Sequence, residues 1–211
     1  MNIQTLRTLL NENGGVLRAG KHDKGACKVC VRELRCLALD LPKWTDSPDG
    51  DSPTDSACQI LNDADWSSDA ARTDACLPLA LLTESEAAEG WEQQYLLRVI
   101  REILPTALRA AGLGDHAVAC ESAEDLEAAG RAAKGAYYAA RAYNAASAAE
   151  YAAEYAARAA GAAYYAAKTT KDPDAAAAAR YAAKTTKDPD AVLRKAVQIL
   201  VECHTGALAN L

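Results

Sequence analysis

EDLEAAGRAAKGAYYAARAYNAASAAEYAAEYAARAAGAAYYAAK, residues 124–168, decides the fold class. Alanine pairs begin at 128, 132, 139, 145, 148, 152, 156, 159, 162 and 166. Most steps are three or four residues. The two longer steps each span two turns, and Gly135-Ala136 and Ala142 keep those turns small. Such spacing draws a stripe of small side chains along one face of an α-helix. The stripe lets a neighbouring helix approach closely. Beside it, Tyr137, Tyr143, Tyr151, Tyr155 and Tyr164 offer contact area plus a hydroxyl that can reach the surface, and these five are the expected interaction residues. Unbroken, Ser122 to Lys168 extends roughly 70 Å at about 1.5 Å per residue. Gly135, Asn144 and Gly161 are the points where it could break, but alanine favours continuity. One long Ala/Tyr-rich helix is expected.

Downstream, AAKTTKDPDA occurs at 166–175 and again at 182–191, a true internal repeat with a period of sixteen. In each copy two threonines and a lysine close one helix. Asp172 or Asp188 caps the next, and Pro173 or Pro189 takes its first turn. Short helices joined by tight turns follow, and duplication of a helical segment is simpler than a solenoid. The last helix, Ala191 to about Cys203, regains an apolar face with Val192, Val197, Leu200 and Val201.

Upstream, Ile3, Leu6, Leu9 and Leu10 predict a short opening helix ended by Asn13-Gly14-Gly15. A second helix is read from about Ala26 to Leu41, stopped by Pro42. Residues 42–56 (PKWTDSPDGDSPTDS) read as an acidic loop. Ser67-Ser68-Asp69 can cap a helix through Leu82, and Thr83 with Glu86 is a capping box for the next. That next helix carries Trp91, Tyr95, Leu96, Val99, Ile100, Ile103 and Leu104 at helical spacing, the strongest core signal in the chain. Nothing alternates with period two. The expectation is all-α: a helical part at 1–121, then an Ala/Tyr-rich helical region at 122–211.

The core must rest on Leu, Val, Ile, Trp and Tyr, because there is no phenylalanine and a single methionine. The net charge of −6 is unevenly spread. Residues 1–39 carry seven Lys/Arg against three acids, residues 40–90 two against twelve, and residues 91–211 fourteen of each. The acidic middle argues against nucleic acid as a partner and suits solvated loops, though contact with a basic protein fits it too. No leader pattern and no membrane-length apolar run is read, so no membrane association is expected. Seven irregularly spaced cysteines then point to free thiols in a reducing, cytoplasmic setting.

Chemistry concentrates in HDKGACKVCVRELRC, residues 22–36. Cys27 and Cys30 form a CxxC with His22 ahead of it, while His116 and Cys120, four apart, could complete a zinc tetrad. On a helix, however, Cys27, Cys30, Leu34, Leu37 and Leu41 make one apolar stripe with Cys36 on the far side, and buried cysteine packs as a small apolar residue. A thiol enzyme would need Cys30 as nucleophile, His22 as base and Glu33 or Asp46 as orienting acid. Glu33 borders the stripe and reads equally well as a buried, hydrogen-bonded carboxylate. His204 reads as an ordinary helix-end histidine. The leading expectation for His22, Cys30 and Glu33 is a buried polar anchor. No cofactor is expected, zinc being the one candidate.

At His22, Cys30 and Glu33, and then Pro42, Trp44, Asp46, Pro48, Leu61-Asn62-Asp63 and Arg72, the sequence resembles an uncharacterised family of phage and bacterial proteins with alanine-rich helical tails. The resemblance covers about the first 120 residues by motif and the rest by composition. The family pattern holds one cysteine, at the Cys30 position, so Cys27 and Cys36 are additions and a family-wide CxxC zinc site is not implied. No established activity comes with it. By composition alone the chain is also similar to immunity-type proteins. The expected function is a non-enzymatic helical interaction protein, as in a phage or mobile-element accessory that inhibits a host factor. The alternatives are a small metal- or thiol-dependent enzyme centred on His22, Cys30 and Asp46, and a protein that self-associates through the alanine stripe.

Overall fold

The structure, a computed structural model, describes residues 2–41, 44–50, 52–146, 151–169 and 174–207, with the backbone alone at 143–146 and 174. The fold is all-α. Among the described residues the one extended pairing is an isolated parallel bridge between Leu17 and Val29.

Helix α1 (Ile3–Glu12) is opened by Asn2, whose side chain accepts the Thr5 N–H, and it buries Leu6 and Leu10. Beyond it Gly14 adopts φ +100°, and a Cβ there would collide with the Cys27 carbonyl oxygen. Conformation and space both demand glycine at this crossing. Gly14→Ala should therefore lower unfolding free energy by at least about 1–3 kcal/mol in urea titrations, the usual cost of one strained backbone position.

Helix α2 (Val31–Ala38) is shorter than the apolar spacing predicts. Gly25 and Cys27 both have positive φ, which turns the chain out of helical geometry, and the helix starts only where Cys30 and Glu33 form a capping box. The cysteine stripe is therefore corrected: Cys27 is exposed, Cys30 caps, and Cys36 is buried. The predicted stop, Pro42, lies outside the described residues. Part of the expected acidic loop is helical, since Ser52 and Pro53 open α3 (Pro53–Asn62) as cap and first turn.

Ser68 caps α4 (Asp69–Cys76), which tightens at Pro78 into a 3-10 stretch, Leu77–Leu81. Thr83 does cap, but only a 3-10 turn over Glu84–Glu86. Gly90, left-handed at φ +71°, then resets the chain for α5 (Trp91–Arg98). A π turn, Val99–Ile103, links α5 to α6 (Leu104–Ala110). There the Leu104 N–H reaches back five residues to the Val99 carbonyl. The register slips just before Pro105, which has no N–H to continue the four-residue ladder. All seven apolar residues of the strongest sequence signal are buried along this rod.

After α7 (Gly114–Glu121), residues 122–169 form two helices, not one: α8 (Leu126–Ala146) and α9 (Tyr151–Thr169). They pack antiparallel. Gly130 faces Ala167, Lys134 lies over the Tyr164 ring, and the Tyr137 ring covers Gly161. Helix α8 ends at Ala146, just after Asn144, and α9 begins at Tyr151, while Gly135 and Gly161 stay inside helices. A single helix would leave its alanine stripe nothing to cover. Folding back buries Ala129, Ala133, Ala136 and Ala140, and with them Ala153, Ala156, Ala160 and Ala163.

Helices α10 (Asp174–Ala183) and α11 (Pro189–Thr205) carry the duplication back into the body of the protein. Asp188 caps α11 and Pro189 is its first residue, as the second repeat predicts; Asp172 and Pro173 lie outside the described residues. Helix α10 packs on α3, α6 and α9, and α11 packs on α4 and α5. One buried cluster consequently runs from Leu6 to Cys203, straight through the compositional boundary at 121/122.

Candidate functional site

Glu33 is fully buried and spends its carboxylate on three groups. Its Oε1 accepts the His22 N–H at 2.6 Å, and its Oε2 lies 2.9 Å from His22 Nδ1 and accepts the Cys30 N–H at 2.8 Å. Cys30 Sγ in turn takes the Glu33 N–H at 3.5 Å, so a thiol stands where a capping-box hydroxyl usually would. Trp44 Nε1–H donates to the His22 carbonyl at 2.6 Å. His22, Cys30 and Glu33 do come together, and they pin the loop before α2 onto its first turn.

The remaining residues of the family-like pattern extend the same framework. Asn62 Oδ1 accepts the Val31 N–H at 3.3 Å, and its Nδ2 donates to the Arg18 carbonyl at 2.8 Å and to Asp63 Oδ1 at 2.7 Å. Asp63 Oδ1 also accepts the Gly20 N–H at 2.8 Å. Arg72 Nε donates to the Asn62 carbonyl at 2.8 Å, while Asp69 joins the guanidinium of Arg72 to that of Arg18. Asp46 pairs with Lys21 at 3.6 Å. Pro42 lies outside the described residues. This is a scaffold of side chains serving backbone groups.

Its chemistry as a thiol site is poor. Burial, reinforced by the neighbouring Glu33 carboxylate, pushes the Cys30 thiol far above its ordinary value, the reverse of what a nucleophile needs. The metal candidates are scattered. Cys27 sits exposed on its turn, Cys120 is buried on α7, and His116 on the same helix faces Gly135 of α8. Among the described residues no group of three or more His, Cys, Asp or Glu side chains is placed to hold a metal ion. Burial likewise lifts Cys58 to about 11 and Cys120 to about 12. Titration of native protein with a thiol reagent should accordingly label one cysteine rapidly. Cys27→Ser should abolish that fast phase, and rapid labelling of Cys30 would reopen the thiol reading.

A second polar cluster left no pattern in the sequence. Arg32, wholly buried, donates from Nε to Asp55 Oδ1 at 2.6 Å, from Nη2 to Asp49 Oδ2 at 2.7 Å, and from Nη1 to the Leu82 carbonyl at 2.9 Å. Asp55 in turn accepts the Asp49 N–H at 2.8 Å, closing the 49–55 segment on the start of α3. Arg32 thereby fastens the acidic loop to α2 and to the chain leaving α4.

His204 is also more than a helix-end histidine. It is buried against Trp91 with ring centroids 5.3 Å apart, and Nε2 lies 3.1 Å from Thr54 Oγ1 at the start of α3. Burial lowers its pKa below the ordinary value. A folded-state pKa below the unfolded one means that the unfolded chain binds more protons. Stability should then fall as pH drops below about 6.5, by up to roughly 1.4 kcal/mol per pH unit. Denaturant titrations between pH 7 and pH 5 should show this slope, and it should flatten in His204→Gln.

The tyrosines fall into two groups. Tyr137, half-buried over Gly161, meets Tyr138 and Tyr165 at 5.2 and 6.3 Å between centroids. Tyr151 and Tyr155 lie 4.5 Å apart, and Tyr155 reaches Tyr181 of α10 at 6.4 Å. Tyr164 sits under Lys134, and the side chain of Tyr143 is outside the described residues. The spacing did not single out Tyr138 and Tyr165, each adjacent to a tyrosine that it named, or Tyr181, which lies one repeat after Tyr165. No described helix is long and apolar enough to cross a membrane. Comparisons of the chain with protein-family models, with curated proteins and with solved structures give no match.

Proposed function

We propose that this chain is a non-enzymatic interaction protein whose α8–α9 hairpin carries the contact face. One observation supports this most. Among the described residues, three of the five large apolar side chains most open to solvent are tyrosines of that hairpin: Tyr138 at 55 %, Tyr151 at 62 % and Tyr165 at 48 %. Tyrosine supplies broad contact area at little entropic cost, which is why it is enriched in binding surfaces. Of the residues that first resemble a reactive centre, Cys30 and Glu33 are buried, His22 is part-buried, and the three are occupied with backbone hydrogen bonds. The alanine stripe is spent inside the hairpin, so self-association through it would require α8 and α9 to separate. Affinity capture from the protein's own cells tests the reading. Wild type should retain a stoichiometric partner that Tyr138→Glu/Tyr151→Glu/Tyr165→Glu loses while keeping its helical spectrum. Equal retention by both proteins would overturn it.

A further inference from the structure

We infer that the seam between α8 and α9 docks an acidic peptide segment of another protein; this rests on the interaction reading above and adds the partner's chemistry. Two clefts, of about 240 and 410 Å³, follow the seam. Five cations line them, Arg131, Lys134, Arg141, Arg158 and Lys168, against two carboxylates, Glu127 and Glu154. Both carboxylates are already paired one turn along their own helix, with Arg131 and Arg158. Lys134, Arg141 and Lys168 have no carboxylate partner among the described residues. The seam is thus three charges positive on a chain of net charge −6.

Two of these three cations are held in place by aromatic faces. Arg141 lies 5.5 Å from the Tyr137 ring centroid and donates to that hydroxyl at 3.1 Å, and Lys134 lies 5.9 Å from the Tyr164 ring. Cation–π contact orients each group without neutralising it, and among the described residues an arriving carboxylate displaces no anion. Apolar side chains of the same segment would meet Ala157, Ala162 and the Tyr165 ring between the cations.

Two other occupants fit less well. A second copy placed face to face would set these cations against one another. Docking the acidic 40–90 region of a second copy into the seam would make a head-to-tail contact, which builds rings or filaments. Tyrosines beside cations can also stack bases of a single strand. A long polyanion, however, feels the acidic remainder of the chain, while a short peptide feels chiefly the field within a Debye length of about 8 Å.

The test is an unbiased one: a random peptide display library panned on wild type and on Lys134→Glu/Arg141→Glu, two exposed sites whose change leaves the core intact. Wild type should enrich sequences rich in Asp and Glu around an aromatic or aliphatic residue, and the selected peptides should bind the variant at least about tenfold more weakly. Enrichment of neutral or basic sequences, equal binding to the variant, or no enrichment would overturn the inference. Tight binding of labelled oligo(dT) to wild type, lost in the variant, would assign the seam to nucleic acid instead. Neutral peptides that bind wild type and fail on the triple tyrosine variant would sink only the acidic-partner inference and leave the interaction reading standing.

Discussion

Arg32→Ala should lower the free energy of unfolding by about 3–5 kcal/mol, a large share of what a domain of this size has to lose. The reason lies in what remains behind. Asp55 is fully buried, and without the guanidinium its carboxylate keeps, among the described residues, the Asp49 N–H. The Leu82 carbonyl loses a donor as well, while Asp49, partly open to solvent, can turn to water. Chemical denaturation at pH 7 measures the loss. A second arm separates the orphaned charge from the lost packing: Arg32→Met/Asp55→Leu should recover much of the stability, because a buried pair replaced by apolar groups of similar volume costs little. The pH dependence gives a third check. Burial already holds the Asp55 carboxyl above its usual range even beside Arg32. Without that cation its folded pKa rises further above the unfolded one, so the folded state binds the extra proton. The penalty of Arg32→Ala should therefore shrink as pH falls from 7 towards 5. A deficit below about 1 kcal/mol, or one that grows with acid, would contradict the account.

How much of this was legible depends on whether the determining interaction is local. Helix phase is local, so the all-α class, the buried rod from Trp91 to Leu104 and the Asp188-Pro189 start of α11 follow from spacing and caps. The reversal after α8 is not local. Alanine propensity favours one long helix residue by residue, and only the burial gained when two stripes meet makes the hairpin better. Helix α2 failed for the opposite reason: two positive-φ residues outweighed a period that ran through them. In the polar framework the partners lie far apart in sequence. Glu33 with His22 was readable as a candidate pair eleven residues apart, but His204 and Thr54 stand 150 apart, and nothing in either neighbourhood announces the other. Arg32 was hidden by composition, since an arginine in a run of charged and apolar residues reads as surface. The tyrosines were half visible. Their spacing beside the stripe marked the face, while which rings stay exposed was set by how α9 folds back over α8 and α10 packs on α9.

Glu33→Ala carries the second large effect, and it decides between scaffold and reaction centre. Removing the carboxylate strands the N–H groups of His22 and Cys30 and breaks the reciprocal half of the α2 cap. One buried and one part-buried donor left without acceptors cost about 2–4 kcal/mol. Glu33→Gln keeps an acceptor oxygen for one of them and should lose roughly half as much, about 1–2 kcal/mol. The change should also be localised. Hydrogen exchange at the His22 and Cys30 amides should quicken in both variants, and protease should cut within residues 18–30 before it cuts elsewhere. A carboxylate kept for chemistry predicts another pattern, because such groups are commonly held at the expense of stability. Glu33→Gln would then be neutral or stabilising, and exchange across residues 22–30 would not change. Loss of stability graded from glutamine to alanine, with exchange rising at those two amides, is the result required if Glu33 serves to hold the loop onto the first turn of α2.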